Sequence, residues 1–259
     1  MSLEGNFAYQ NNLRKEFAEA VSHGYMPIPP STLERKFDKN TFSAQIGAKM
    51  LLQKQHSLSA GISAEHQNNK RAGWGFIMPD FRTTAFGAYI YDRFHVSENL
   101  ILSAGIRADR MTTDIDSYSD WYETPTQNGD FIYKQRAADL HRNFSSITWS
   151  AGVNYKHQQW AFKANVGKSF RAPIPKELGA DGVNYHIFRY EKGDPNLSPE
   201  VSYQLDTEVS LQGTAFDLQV SPFVNYFPNY IYLNPTSSYN EGLQIYNYTQ
   251  SKVLRYGFE

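Results

Sequence analysis

The residues with the most chemical potential gather in two stretches. Between Thr113 and Phe144 stand Asp114, Asp116, Asp120, Glu123 and Asp130, with His141 near the end and Tyr118, Trp121 and Tyr122 among the acids. Carboxylate oxygens at that density suit calcium, and a histidine beside them approaches the donor set of a zinc-like ion. The spacing is not that of an EF-hand, and a solvated acidic loop is the simpler reading of the same residues. The aromatic rings offer flat faces on which an aromatic, haem or sugar ligand could stack. The second stretch holds Tyr185, His186, Arg189, Glu191 and Asp194, a polar and aromatic set around one histidine. His23, His56 and His157 read as turn or rim residues.

Catalysis finds little support. Cysteine is absent, so disulfides, thiolate metal sites and cysteine nucleophiles are excluded. Serine and histidine are present, but no G-x-S-x-G elbow is, and the carboxylates sit on loops rather than a rigid frame. Lys49, Glu65, Arg107, Asp109, Asp206 and Glu208 fall on the polar faces of alternating segments, where charges of both signs line water or a ligand path. A net charge of -1 argues against nucleic acid, whose phosphates require a basic surface. No cofactor is expected.

The elements that must carry these loops alternate strictly. Val201, Tyr203, Leu205, Val209 and Leu211 share one face, against Ser202, Gln204, Asp206, Glu208, Ser210 and Gln212 on the other. Such a strand lies between oil and water. Phe42 to Leu52, Leu58 to Ala64 and Ile147 to Tyr155 repeat the pattern. Strands of soluble domains usually have about five or six residues, whereas one tilted across a bilayer needs about nine to eleven. These segments have the longer length. Trp160 and Phe170 bracket another, as aromatic girdles bracket an apolar band of about 25 Å. Mean hydropathy is -0.57 and 41% of residues are hydrophobic, too polar for a helical membrane protein. No run of about eighteen apolar residues exists, so no spanning helix is expected.

The expected fold is all-β, an antiparallel up-and-down transmembrane β-barrel. Strands are expected at 6–19, 31–38, 41–52, 57–66, 82–94, 100–112, 145–156, 160–170, 201–212, 214–232 and 243–256. Short links near 53–56, 96–99, 157–159 and 213–214 alternate with long ones near 67–81, 113–144, 172–200 and 234–242. Short periplasmic and long extracellular links are the signature of a meander barrel. About eleven strands do not close an even-numbered barrel. A fragment of a larger barrel is therefore expected, with Met1–Glu4 as vector-derived residues and 5–259 as a partial barrel. No signal peptide precedes it.

At residues 167–205 the pattern becomes specific. Gly167-Lys168-Ser169-Phe170-Arg171-Ala172-Pro173 is followed by Glu177-Leu178, Phe188-Arg189-Tyr190-Glu191, Gly193-Asp194-Pro195-Asn196-Leu197 and Pro199-Glu200. This resembles the barrel of TonB-dependent outer-membrane receptors, in which a strand ending in phenylalanine-arginine-alanine-proline enters a loop that returns through asparagine-leucine-x-proline-glutamate. Ala104 to Asp109, Asn229 to Leu233, Leu254 to Glu259 and Tyr9 to Phe17 support the likeness over nearly the whole chain. The resemblance implies the middle of a barrel of about 22 strands, without its N-terminal plug, first strands or last strands. It also implies localisation in the bacterial outer membrane. The implied partners are its own plug domain, the TonB complex, the lipid bilayer and a small nutrient ligand. Iron-siderophore, haem or zinc come ahead of glycans or cobalamin. Some such receptors use loop histidines, which makes His186 a candidate ligand. Other expected binding positions are Asp114, Asp116, Asp120, Trp121, His141, Arg189 and Glu191. Phe170, Arg171, Pro173, Asn196, Leu197, Pro199 and Glu200 carry the motif.

The motif residues also have local work. Pro173 and Pro175 cannot donate to a ladder and stop the strand. Gly193-Asp194-Pro195-Asn196 is turn chemistry. Arg171 presents a planar five-donor cation suited to clamping a plug carboxylate or loop carbonyls. Two other readings compete: a soluble all-β domain binding glycan or metal, and a passive outer-membrane barrel. The soluble reading requires the apolar faces to pack into a dry core.

Overall fold

The structure is a computed structural model that describes residues 1–53, 55–184, 187–240 and 242–259. The frame is built from long strands: β1 (Ser2–Phe17), β2 (Leu33–Leu52), β3 (His56–Ala72), β4 (Phe81–His95) and β5 (Leu100–Ile115). A hairpin of β6 (Tyr118–Pro125) and β7 (Phe131–Ala137) follows, then β8 (Leu140–His157) and β9 (Trp160–Arg171). One helical turn, α1 (Pro175–Gly179), and the short β10 (Asp181–Asn184) and β11 (Arg189–Lys192) lead to β12 (Glu200–Gln212), β13 (Asp217–Val220), β14 (Pro222–Asn240) and β15 (Leu243–Phe258). All but β6 and β7 belong to one 13-stranded sheet, ordered β1-β2-β3-β4-β5-β8-β9-β12-β14-β15-β11-β10, with β13 on β12. Neighbours are antiparallel except β11, which lies parallel to β15. β1 and β10 do not pair, so the sheet is open.

Cross-strand register explains the alternation. Ile46 pairs with Ile62, Ile62 with Ala88, Ala88 with Ala108, and Ala108 with Ile147. This apolar line looks outward. Ile62 is 58% exposed, Phe86 60% and Ile147 56%. The opposite face carries Ser63, Tyr89 and Arg107, with the Arg107 guanidinium donating to Ser63 at 2.9 Å. There the Tyr89 ring lies over Gly61 and Gly47, and a Cβ on Gly61 would collide with it. The apolar faces therefore do not pack into a dry core, as the soluble reading required. The sheet is one layer with an oily outside.

Several boundaries differ from the sequence reading. The segments expected at 31–38 and 41–52 are one strand, β2. The segment expected at 214–232 divides at Ser221 into β13 and β14. The long link expected at 234–242 is instead ladder: β14 runs to Asn240 and meets β15 with two register shifts. The 113–144 stretch contains the β6–β7 hairpin, turned at Gly129 with φ +86°. Ser2, Leu3 and Glu4 pair with Lys49, Ala48 and Gly47 as part of β1. Short links stand where expected after β2, β4 and β8, with Gln53 and Gln158 at φ 50° and 52° making two of the turns.

Buried apolar residues concentrate at one end. Phe81, Ile115, Phe144, Leu178, Leu197 and Ile231 form the buried cluster, and Met78, Met111, Leu140, Ala172 and Tyr248 pack against it. Trp74, Phe76, Ile77, Val183 and Tyr190 are buried nearby in the sequence of the same links. All belong to the long links or to the strand ends that adjoin them.

Candidate functional site at the long-link mouth

The 172–199 segment is built to fold back on the sheet. Pro173 is fully buried, Pro175 opens α1, and the Ile174 N–H donates to the Glu177 carboxylate at 2.9 Å. That turn delivers Leu178 into the space between Phe81, Ile115 and Phe144. Burying a leucine there contributes about 1.5–3 kcal/mol. Gly193 and Asp194 close the segment by donating backbone N–H groups to Ala180 O at 2.6 Å and Glu177 O at 2.9 Å.

One short hairpin then joins distant strands. Tyr190 of β11 sits beside Ile245 of β15, while the Val183 carbonyl of β10 accepts from Arg35 of β2 at 2.7 Å. β2 and β15 lie near opposite ends of the sheet order, so the sheet curls enough for one hairpin to touch both. Gly182 approaches the Phe76 carbonyl so closely that a Cβ would not fit. Glycine is required for that contact.

Buried ions stitch the segment down. Arg171 donates to Glu177 at 2.8 Å and Glu200 at 3.2 Å, and Glu200 also accepts the Ile231 N–H at 2.7 Å. The arginine is thus a clamp, as its type suggested, on carboxylates of its own segment. Glu191 is fully buried, with Lys176 at 2.5 Å, Arg189 at 2.8 Å and Asn184 at 3.1 Å. Burial alone would raise its carboxyl, but the hydrogen bonds and charge of Lys176, then those of Arg189 and Asn184, hold it below the ordinary range. Arg189 also lies 5.2 Å from the Tyr246 ring centre.

A second network ties the β6–β7 hairpin to β10 and β11. Asp120 accepts from Arg136 at 2.7 Å, Arg136 donates to the Tyr190 hydroxyl at 2.8 Å, and that hydroxyl donates to Asp181 at 2.7 Å. Burial pushes the Asp120 carboxyl up, against the pull of Arg136, and pushes the Tyr190 phenol up as well. Nearby the Trp121 indole donates to the Trp74 carbonyl at 3.2 Å, and Tyr118 stacks on Phe76 at 4.5 Å.

The acids of the 113–144 stretch are therefore dispersed rather than gathered. Asp114 pairs with His141 at 2.6 Å on the outward face of β5 and β8. Asp116 binds Arg82 at 2.8 Å and Lys70 at 3.3 Å, and Asp120 is enclosed with Arg136. Among the described residues no group of three or more histidines and acids could hold a metal ion. His186 lies outside the described residues. Phe170 pairs with Val201 in the β9–β12 ladder, and the Asn196 N–H donates to the Asp194 carboxylate in a turn. Leu197 is buried, and the Pro199 carbonyl accepts from Asn229 at 2.6 Å.

Sequence reasoning missed the residues that organise the mouth: Arg35, Arg136, Arg142, Lys176, Asp181 and Tyr190. Arg142 donates to the carbonyls of Pro195 and Leu197. Their partners are remote in sequence, so no local signal marks them. The hairpin did have one, the Asn128-Gly129 pair that favours a tight turn. Chemically the mouth offers donors. Its carboxylates are already occupied by arginine and lysine.

The family described as "TonB dependent receptor-like, beta-barrel" matches residues 2–259. Among solved structures, the chain is similar to the copper transporter OprC at TM-score 0.74 and 14% identity, over 99% of this chain and 40% of that one. It is similar to a double mutant of the Serratia marcescens hemophore receptor HasR in complex with hemophore HasA and heme, at TM-score 0.69 and 17% identity, over 86% of this chain and 39% of that one. The FrpB iron transporter of Neisseria meningitidis gives TM-score 0.64 and 15% identity, over 99% and 37% of the two chains. Identities this low carry the fold alone. The chain spans about two-fifths of the length of each of these structures.

Proposed function

This chain belongs to the TonB-dependent receptor-like β-barrel family, and from that premise we propose that it is the partial barrel of an outer-membrane receptor for energy-coupled uptake of a scarce nutrient. The family is one of outer-membrane transporters rather than enzymes. The observation that carries the reading is the single-layer sheet of membrane-length strands, apolar outside and polar inside, capped at one end by folded links. In this proposal the capped end is extracellular and the short links are periplasmic. The outward faces of β2 to β12 meet lipid. The inner polar face meets a plug domain supplied by the rest of a longer receptor.

The nutrient is an iron chelate, haem or a metal ion; haem, copper and iron are named for the similar structures above. The long links take the ligand first, and TonB then supplies energy through the plug to open a path. Growth on the cognate nutrient should be lost when either this receptor or TonB is removed from the producing cell. Growth that needs the receptor but not TonB would contradict the proposal and mark a passive barrel.

A further inference from the structure

A cavity of about 440 Å³ lies beneath the 172–199 segment, between it and the inner faces of β1, β2 and β3. That volume falls in the range of small-molecule sites, about 300–1,000 Å³. Register places Asn12 beside Lys39, Lys39 beside Asn69, and Asn69 beside Phe81, so three strands present amide, ammonium and amide in one line. Directly paired residues in such a ladder hold their Cβ atoms about 4.5–5.5 Å apart. Lys176 reaches the cavity from the segment above, and Phe37, Ile77 and Phe81 supply its apolar wall.

Two observations make this line more than a solvated face. Asn69 is only 1% exposed, yet its side-chain N–H₂ has no hydrogen-bond partner. Arg35, 3% exposed and also lining the cavity, has its Nε–H unpartnered. A buried donor left without an acceptor costs about 1–3 kcal/mol, so two of them on one cavity call for an acceptor from outside the chain. The one carboxylate on the cavity, Glu16, is held by Arg14 at 2.5 Å and Arg35 at 3.1 Å. Lys176 is likewise engaged by Glu191 at 2.5 Å. Lys39 and the amides of Asn12 and Asn69 remain to receive a ligand.

We infer that this cavity binds a small, oxygen-rich organic anion with an apolar portion, and that a metal would arrive here inside such an anion rather than as a bare cation. The anionic oxygens accept from Asn69, Lys39 and the Arg35 Nε–H, while the apolar portion lies against Phe37 and Phe81. A bare divalent ion finds no free carboxylate or imidazole on this wall. The inference rests on the uptake reading above and narrows its ligand.

The test uses the full-length receptor purified in detergent, with ferric citrate and ferric 2,3-dihydroxybenzoate as anionic probes and zinc chloride as the bare cation, read by titration calorimetry. Each variant is first checked for a heat-shifted band on an unboiled gel, which separates loss of the barrel from loss of binding. At least one ferric chelate should bind wild type and zinc should not. K39E and the near-isosteric N69D should each weaken that binding by about 10- to 100-fold, the worth of a charge-assisted hydrogen bond, while K39R retains it. Failure of both chelates to bind, zinc binding in their place, or chelate binding that K39E and N69D leave within twofold would overturn the inference. TonB-dependent growth persisting in that case would leave the uptake reading standing.

Discussion

The wall and the mouth of this molecule hold themselves together by different means. In the wall, from Ile46 on β2 to Val166 on β9, the large apolar side chains are about half exposed. Its order within the chain comes from ladder hydrogen bonds and from residues such as Tyr89 seated on glycine. At the mouth, Leu178, Leu197 and Ile231 are at least 95% buried, and the ion pairs beneath them are enclosed too. The difference teaches where solvent is expected. The wall's outside is written for lipid, which supplies the burial the protein does not; the mouth is written for water and must bury its own core.

That contrast can be broken at several points. The largest effect is expected from Arg136→Met, which leaves Asp120 buried without its cation. Removing one partner of an enclosed pair costs about 3–5 kcal/mol, and both side chains are under 10% exposed. The links at 116–139 and 172–199 should become protease-sensitive while amide exchange in β2 to β5 stays unchanged. Melting of the wall along with the mouth would show one cooperative unit instead. Leu178→Ala should cost about 2–5 kcal/mol, again at the mouth, seen as faster cleavage between residues 172 and 199.

The wall should answer to lipid. Ile62→Arg places a cation on the middle of the outward face, where the cost in a bilayer is about 2–4 kcal/mol. Unfolding in lipid vesicles should show that loss, and cleavage of the 172–199 segment should not change. An unaffected midpoint would mean that this face does not meet hydrocarbon. The smallest effect is expected from pH. Because Glu191 is held below the ordinary carboxyl range in the folded state, its contribution is complete above the unfolded value, about 4.3, and fades as the pH falls through the lowered folded value. Protection of the 172–199 segment should therefore decline in buffers below about pH 4.3, and Glu191→Gln should remove that dependence.

Legibility in the sequence followed the same division. Alternation in β3, β8, β9 and β12 could be read because each outward position faces the same medium along the strand. It failed at Asp38, Lys39 and Asn40, where both faces of β2 are polar although the ladder continues unbroken. Above the apolar belt, strand structure no longer requires an oily face. The mouth was barely legible. Its motif residues Arg171, Leu197 and Glu200 were found, but what they touch was not, since Leu178 meets Ile115 and Ile231 and Arg35 meets Val183 only after long-range folding. The acids at 114, 116 and 120 looked like one site because they are close in sequence. In space each is drawn to a different cation.

The most direct test of the contrast is to fractionate envelopes of cells producing the full-length receptor and run the outer-membrane fraction on a gel with and without boiling. A band in that fraction that shifts on heating is expected, from a wall that closes in lipid. A receptor found in the soluble fraction with no heat shift would contradict the assignment of the exposed apolar face to the membrane.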